Sequence, residues 1–322
     1  MTRCSLAFIL LLIAPLEATA LQCQISQAPD MNFGAPDPFA GGNITSSTVL
    51  DWTCSRSAFE NNTFPDNNLF GYRFTMCVYL ASDTNGGFLP RTMTSGTGSP
   101  AIPFNIYSSP AGAMVVQPQQ NAIAVPVDLS GIFNFQDEGT VNLFGIINGP
   151  LPGNVASGVH TTSMANSQVT GVGSNQNCVA SGTLLTTYIL DATIDVPDQC
   201  QVTASDMDFG EQSTPLAQTN AESFIDVRCT NTTQFTVGLS NGLHAVGTWR
   251  RLSDGNGHFI DYNLYGDPSR NNVWGNDSAS RKSGSGLGTG ASIMMPVYGQ
   301  IPADPTAIEG IYTDTITVDV EF

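Results

Sequence analysis

"CQISQAPDMNFG" occupies residues 23–34 and "CQVTASDMDFG" residues 200–210. Each opens on a cysteine, passes through a short alternating run and closes on Met, an Asn or Asp, and Phe-Gly. Five further echoes follow in the same order. Cys23 and Cys54 are 31 residues apart, and Cys200 and Cys229 are 29 apart. After each second cysteine comes a Phe-Thr strand, "YRFTMCVYL" and then "TQFTVGLSNG". "RTMTSGTGSPAIPFNIYSSP" (91–110) answers "RRLSDGNGHFIDYNLYGDP" (250–268), and "INGPLP" (147–152) answers "VYGQIP" (297–302). Lastly "YILDATIDV" (188–196) answers "YTDTITVDV" (312–320). Self-similarity in this order is the mark of a duplicated domain. The boundary falls at "DVPDQ", residues 195–199, giving units 21–197 and 198–322.

The repeated pieces are strands. "TVLDWTC", "AIAVPVDL", "VNLFGII", "FIDVRC", "SIMMPVYG" and "ITVDVEF" alternate with period two, and Gly, Pro, Asn and Asp bound them. Helical periodicity is hard to find. Short strands at this spacing without helices predict an all-β chain of two β-sandwiches.

Residues 1–20 stand apart. Arg3 precedes the short apolar run "LAFILLLIA", and "ATA" ends at Ala20, the pattern of a cleaved export signal. The apolar run is too short to span a bilayer. Removal of Cys4 with the signal leaves six cysteines, an even number in an exported chain, which argues for disulfides. The repeat makes Cys23–Cys54 and Cys200–Cys229 equivalent bonds and leaves Cys77 with Cys178, although spacing alone leaves the connectivity open. Cys178 lies in residues 153–185, a segment with no counterpart of similar length in the second copy.

Charge excludes one class of partner. The formal net charge is −17, and Lys282 is the one lysine. Residues 21–197 hold 11 acidic and 3 basic side chains, and residues 198–322 hold 15 and 6. A chain acidic in both halves is a poor ligand for nucleic acid. Enzyme and metal signatures are equally poor. His160, His244 and His258 have no partner at metal-site spacing, and no Cys-x-x-Cys occurs. No Gly-x-Ser-x-Gly elbow is present. The stretch "GSGLGTG" (284–290) leads into a strand, not the helix a phosphate cradle needs. No cofactor, metal site or catalytic residue is expected.

The second copy resembles the spore coat protein U domain: Cys-x8-Phe-Gly, Cys229, "RRLSDGNGHFIDYNLYGD", "VWGN", "VYGQIP" and "GIYTDTITVDVEF" stand in the family's order over residues 200–322. The first copy looks like a diverged version. Chains with two such domains resemble the tip adhesins of archaic (Csu-type) chaperone–usher pili. That resemblance implies two immunoglobulin-like β-sandwiches, the C-terminal one a pilin sandwich lacking its last strand. It implies a periplasmic chaperone, an outer-membrane usher and an adjacent subunit as partners, and export through the periplasm to a pilus tip. The missing strand would be added to an open sheet edge, and Tyr312, Ile316, Val318, Val320 and Phe322 lie on one face of the final run as an acceptor edge. After cleavage at Ala20 only Leu21 and Gln22 precede Cys23, so the mature chain is expected to accept a strand and to have none to give, which points to the tip. A donor strand takes about ten residues. The other readings of such a chain are a structural spore-coat or envelope component and a lectin-like glycan-binding module.

In the resembled adhesins, finger-like loops with apolar tips attach to abiotic surfaces and support biofilms. By matched position the first copy differs from the second in three loops. "APDPFAGG" (35–42) stands against "EQSTPLAQTN", "GTGSPAIPF" (96–104) against "GNGHFIDY", and "NGPLPGN" (148–154) against "YGQIPAD". The first copy is richer in Pro and apolar residues, and proline stiffens a loop. Pro38, Phe39, Pro100, Ala101, Ile102, Pro150, Leu151 and Pro152 are therefore the expected surface-binding residues. In "ENNTFPDNNLFGY" (60–72), Phe64, Leu69 and Phe70 are expected to cap the core instead.

Overall fold

The computed structural model describes residues 21–27, 30–57, 64, 71–96, 98–112, 114–179 and 181–322. All regular structure among them is β. The first unit contains β1 (Gln22–Gln27), β2 (Met31–Asn32), β3 (Ile44–Ser55), β4 (Arg73–Val78), β5 (Arg91–Met93), β6 (Ile102–Tyr107), β7 (Ile123–Asp128), β8 (Gln136–Ile147), β9 (Gly158–Gly173) and β10 (Thr183–Val196). The second contains β11 (Cys200–Ala204), β12 (Thr219–Cys229), β13 (Gln234–Leu239), β14 (Arg250–Ser253), β15 (Phe259–Tyr265), β16 (Lys282–Ser285), β17 (Ile293–Ile301) and β18 (Val318–Glu321).

Alternation decides which side of each strand is buried. In β3, Leu50, Trp52 and Cys54 face inward while Val49 and Asp51 face out. Two sheets, ordered β1-β3-β8-β6-β5 and β2-β10-β9-β4-β7, enclose the first core around Trp52, Phe74, Met76, Phe104 and Leu190. The second core, around Ile225, Val237, Leu264, Trp274 and Val297, lies between sheets ordered β11-β12-β17-β15-β14 and β16-β13-β18. These are two immunoglobulin-like sandwiches in series.

The duplication is visible in detail. Cys23 faces Cys54 across the β1–β3 ladder, and Cys200 faces Cys229 across β11–β12. Both pairs are disulfide-bonded, and Cys77 is bonded to Cys178. The Met-x-Phe of the repeated motif packs on a glycine of the facing sheet. A Cβ on Gly145 would sit 2.7 Å from Phe33, and one on Gly299 2.2 Å from the Met207 sulfur. Arg91 and Arg250, in equivalent strands, are both buried, and each guanidinium donates to three or more carbonyls around it, Leu80, Ala81 and Val116 for the first and Leu239, Ser240 and Trp274 for the second.

One position in this correspondence fails. The sheet of the first unit runs β7-β4-β9-β10-β2, whereas the second runs β16-β13-β18 and stops. β18 pairs with β13 as β9 pairs with β4, both antiparallel. The spatial counterpart of β18 is therefore β9, and β10 has none. This corrects the last echo: "YILDATIDV" and "YTDTITVDV" are alike in sequence but not in place. The segment 153–185 supplies β9, which folds against β10 as a long hairpin. The first unit thus completes its sandwich from its own chain.

Candidate functional site

The consequence in the second unit is a groove. Met207, Phe209, Ile225, Leu239, Leu264, Val297, Ile316 and Val318 line a cavity of about 200 Å³ along the unfilled position, together with the polar residues Ser205, Asp206, Ser223 and Asp314. In the first unit the same position holds β10. There Tyr188, Leu190, Ala192, Ile194 and Val196, every second residue, are all buried. The effect on the motif residues is direct. Met31 and Phe33 are buried, because Met31 pairs with Ala192 and the Phe33 amide donates to the Thr193 carbonyl at 2.9 Å. Met207 and Phe209 remain half-buried, and Val202 on β11 is exposed.

The expected acceptor face is in place over most of its length. Tyr312, Ile316, Val318 and Val320 are half-buried against the second core. Residues 312–317 are extended but outside the ladder, tied by the Ser253–Thr313 bridge and by the Ser240 amide donating to the Thr317 carbonyl at 3.0 Å. Phe322 departs from the expectation. It is 59% exposed, because the β13–β18 register ends at Thr236–Glu321 and leaves it nothing to pack on.

The expected surface tips lie elsewhere than an outer pole. Ile102 is 0% and Leu151 4% exposed, both in the first core, and Pro38 is buried too. Phe39, Pro100, Ala101 and Pro152 are half-buried, and Pro150 is exposed. The loops that carry them gather at the pole where the first unit meets the second. The Arg228 guanidinium stacks over Phe39 at 5.4 Å. The Asn231 side chain donates to the Asn154 carbonyl at 2.9 Å, and the Gly290 amide donates to the Gly153 carbonyl at 3.2 Å. The glycine-rich stretch 284–290 belongs to this junction. Gly288 has φ +107°, and a Cβ on it would lie 2.1 Å from the Gly153 carbonyl oxygen.

The opposite pole carries exposed apolar residues outside the loops singled out by matched position. β9 spans 16 residues from the junction end at Gly158, so its far end lies roughly 50 Å away. There Gly173, Phe74 and Arg73 stand beside Asp128, and the loop 129–135 follows. Phe133 is 89% and Ile132 63% exposed. The base of the loop is fixed. Arg56 donates to the carbonyls of Leu129 (2.9 Å) and Gly131 (3.1 Å), its own amide donates to the Phe135 carbonyl, and the Asn134 amide group donates to the Asp128 carbonyl. Val179, in the β9–β10 turn, is exposed at the same pole. A signal was available: "LSGIFNF" (129–135) stands where the second copy has "GLGTGAS" (286–292). Phe64 is buried and stacks on Phe74 at 5.0 Å, while Leu69 and Phe70 lie outside the described residues.

A larger cleft of about 340 Å³ on the flank of the first unit is lined by Ser82, Asp83, Gln119, Asn166 and Gln168. Both Asp83 oxygens are already engaged, by the amides of Asn85 and Gly87 and by the amide and hydroxyl of Thr92. No His/Cys/Asp/Glu cluster among the described residues has metal-site geometry.

The chain is similar to known proteins in family and in fold. A family model described as the Spore Coat Protein U domain matches residues 10–166 and 186–319. Protein U of Myxococcus xanthus is 30% identical over 108 residues, which are 30% of this chain and 58% of that protein. The chain thus spans a little over half the length of that relative. Among solved structures, the CsuC–CsuE chaperone–tip adhesion subunit pre-assembly complex from archaic chaperone–usher Csu pili of Acinetobacter baumannii matches 93% of this chain and 100% of its own with a TM-score of 0.54, at 16% identity. At that identity the likeness is one of fold.

Proposed function

The chain belongs to the Spore Coat Protein U domain family, whose members are structural subunits and not enzymes, and we propose that it is the tip adhesin of an archaic chaperone–usher pilus. One observation carries this reading: two copies of one sandwich, of which the first fills a strand position with β10 and the second leaves it as an apolar groove. Filling that position buries four large apolar side chains in the first unit, gross about 6–12 kcal/mol. That is comparable to the whole net stability of a domain. A sandwich without it needs a partner strand, given first by a periplasmic chaperone and then, at the usher, by the adjacent pilin subunit.

The chain then has one acceptor, in the unit at 198–322, and a self-complete unit at 21–197. Its free pole presents Ile132 and Phe133 on an anchored loop, the form of an attachment tip for an apolar abiotic or host surface. Such a protein passes the periplasm, stands at the cell surface and supports biofilm growth. Co-expression with a periplasmic chaperone of an archaic chaperone–usher system tests the reading. Stable, monodisperse chain in the periplasm is expected only with the chaperone; equal yield of folded chain without any partner strand refutes the acceptor role. A coat or envelope role would show as export and assembly without an usher.

A further inference from the structure

The groove is not uniformly apolar. Tyr312, Asp314, Ile316 and Val318 face it in turn; of the two carboxylates that line the cavity, Asp206 is exposed and Asp314 stands half-buried beside Ile316 and Val318. Its Oδ1 accepts from the amides of Leu243 (2.9 Å) and Thr315 (2.8 Å). Its Oδ2 accepts from the Tyr262 hydroxyl at 2.7 Å. A carboxylate oxygen has two lone pairs, so Oδ2 keeps one acceptor position. Burial and the neighbouring Asp314 charge both push the Tyr262 phenol upward, so it stays protonated and donates. Arg250, the nearest buried cation, spends its guanidinium on the Ser240, Leu239 and Trp274 carbonyls.

The first unit supplies the register. The Thr94–Thr161 bridge corresponds to the Ser253–Thr313 bridge, each three residues past a buried arginine. Thr162 is thus the counterpart of Asp314. The Thr84 amide donates to the Thr162 hydroxyl as the Leu243 amide donates to Asp314. The residue of β10 opposite Thr162 is Ala192, flanked by Leu190 and Ile194 opposite Met164 and His160. A small apolar residue suits a threonine. It does not suit a carboxylate, whose remaining lone pair would be walled off from water without a donor.

Taking the groove as a strand acceptor, as proposed above, we infer that the partner strand runs antiparallel to residues 312–320 and carries, opposite Asp314, a side chain that donates a hydrogen bond (Ser, Thr, Asn or Lys) between two large apolar residues facing Ile316 and Tyr312. Asp314 thereby selects among donor strands that are otherwise alike in apolar alternation.

The test appends a strand to the full mature chain after Phe322 through a short polar linker. Its sequence is that of residues 186–196, TTYILDATIDV, with the position of Ala192 varied to Leu, Thr or Lys. Thermal unfolding of the second unit is expected to rise with every strand. Thr and Lys should exceed Leu by about 5 °C. In an Asp314→Ala background the order should invert, and in Tyr262→Phe, where the carboxylate has lost one donor, the preference should widen. No stabilisation by any strand overturns the acceptor reading itself. Equal stabilisation by all strands, or an order unchanged in Asp314→Ala, leaves the acceptor reading intact and overturns the inference.

Discussion

Leu151 and Phe133 offer a paired perturbation with opposite outcomes. Leu151 lies in a Pro-rich loop yet is 4% exposed and packed in the first core. Truncation to alanine removes buried methyl groups and leaves a cavity, a change that costs about 2–5 kcal/mol. For a unit of this size each kcal/mol moves the midpoint by roughly 2–4 °C. Leu151→Ala should therefore lower the melting temperature of the first unit by about 4–20 °C. Phe133 is 89% exposed on a loop whose base is fixed by Arg56. Phe133→Ser should stay within about 0.5 kcal/mol, hence roughly 2 °C. Attachment should respond the other way. Loss of an apolar contact worth about 1.5–3 kcal/mol at each tip should reduce cell attachment to polystyrene in Phe133→Ser, and more so with Ile132→Ser. Calorimetry of the purified chain with its groove filled gives the first reading, and crystal-violet retention of piliated cells the second. If Leu151→Ala melts like the parent but abolishes attachment, while the Phe133 variant attaches normally, the assignment of poles is wrong.

Three further outcomes follow from the same geometry. The Cys77–Cys178 bond closes 101 residues, so the Cys77→Ala/Cys178→Ala variant should lose about 4–5 kcal/mol by the chain-entropy account, seen as a lower midpoint in denaturant titration. Gly288→Val places a side chain on the Gly153 carbonyl and on a positive φ, so it should loosen the junction without unfolding either core; faster proteolysis between the units, with both melting transitions kept, is the reading. Burial depresses the pKa of His160, whose Nδ1 lies 3.1 Å from the Gly158 carbonyl, so the neutral ring is favoured in the folded state. Its contribution is complete above the unfolded value of about 6.5 and is lost as pH falls through the lower folded value, and His160→Gln should flatten the fall in melting temperature on acidification.

The repeat, the period-two alternation and the cysteine spacings were sufficient to read a duplicated all-β chain and the two equivalent disulfides, since each rests on local pattern that survives folding unchanged. Loop composition was a weaker guide. "NGPLPGN" and "APDPFAGG" read as apolar fingers because Pro and Leu stand among turn residues. An apolar residue in a loop is as well satisfied by the core beneath it as by an outside surface, and sequence does not say which pole the loop occupies. The final echo misled for a similar reason. β10 and residues 312–320 both alternate apolar residues against one core, and that requirement is met equally by neighbouring strands of a sheet.

The sequence by itself determined the strands, the duplication and the family, because alternation and turn chemistry act over a few residues. Only the tertiary structure decided which strand lies beside which. It placed the segment 153–185 as β9 between β4 and β10, so that one copy closes and the other stays open. It also turned one pole of the first copy onto the second and left Ile132 and Phe133 at the free end. Strand order and pole are set by contacts between residues a hundred positions apart, and no local pattern records them.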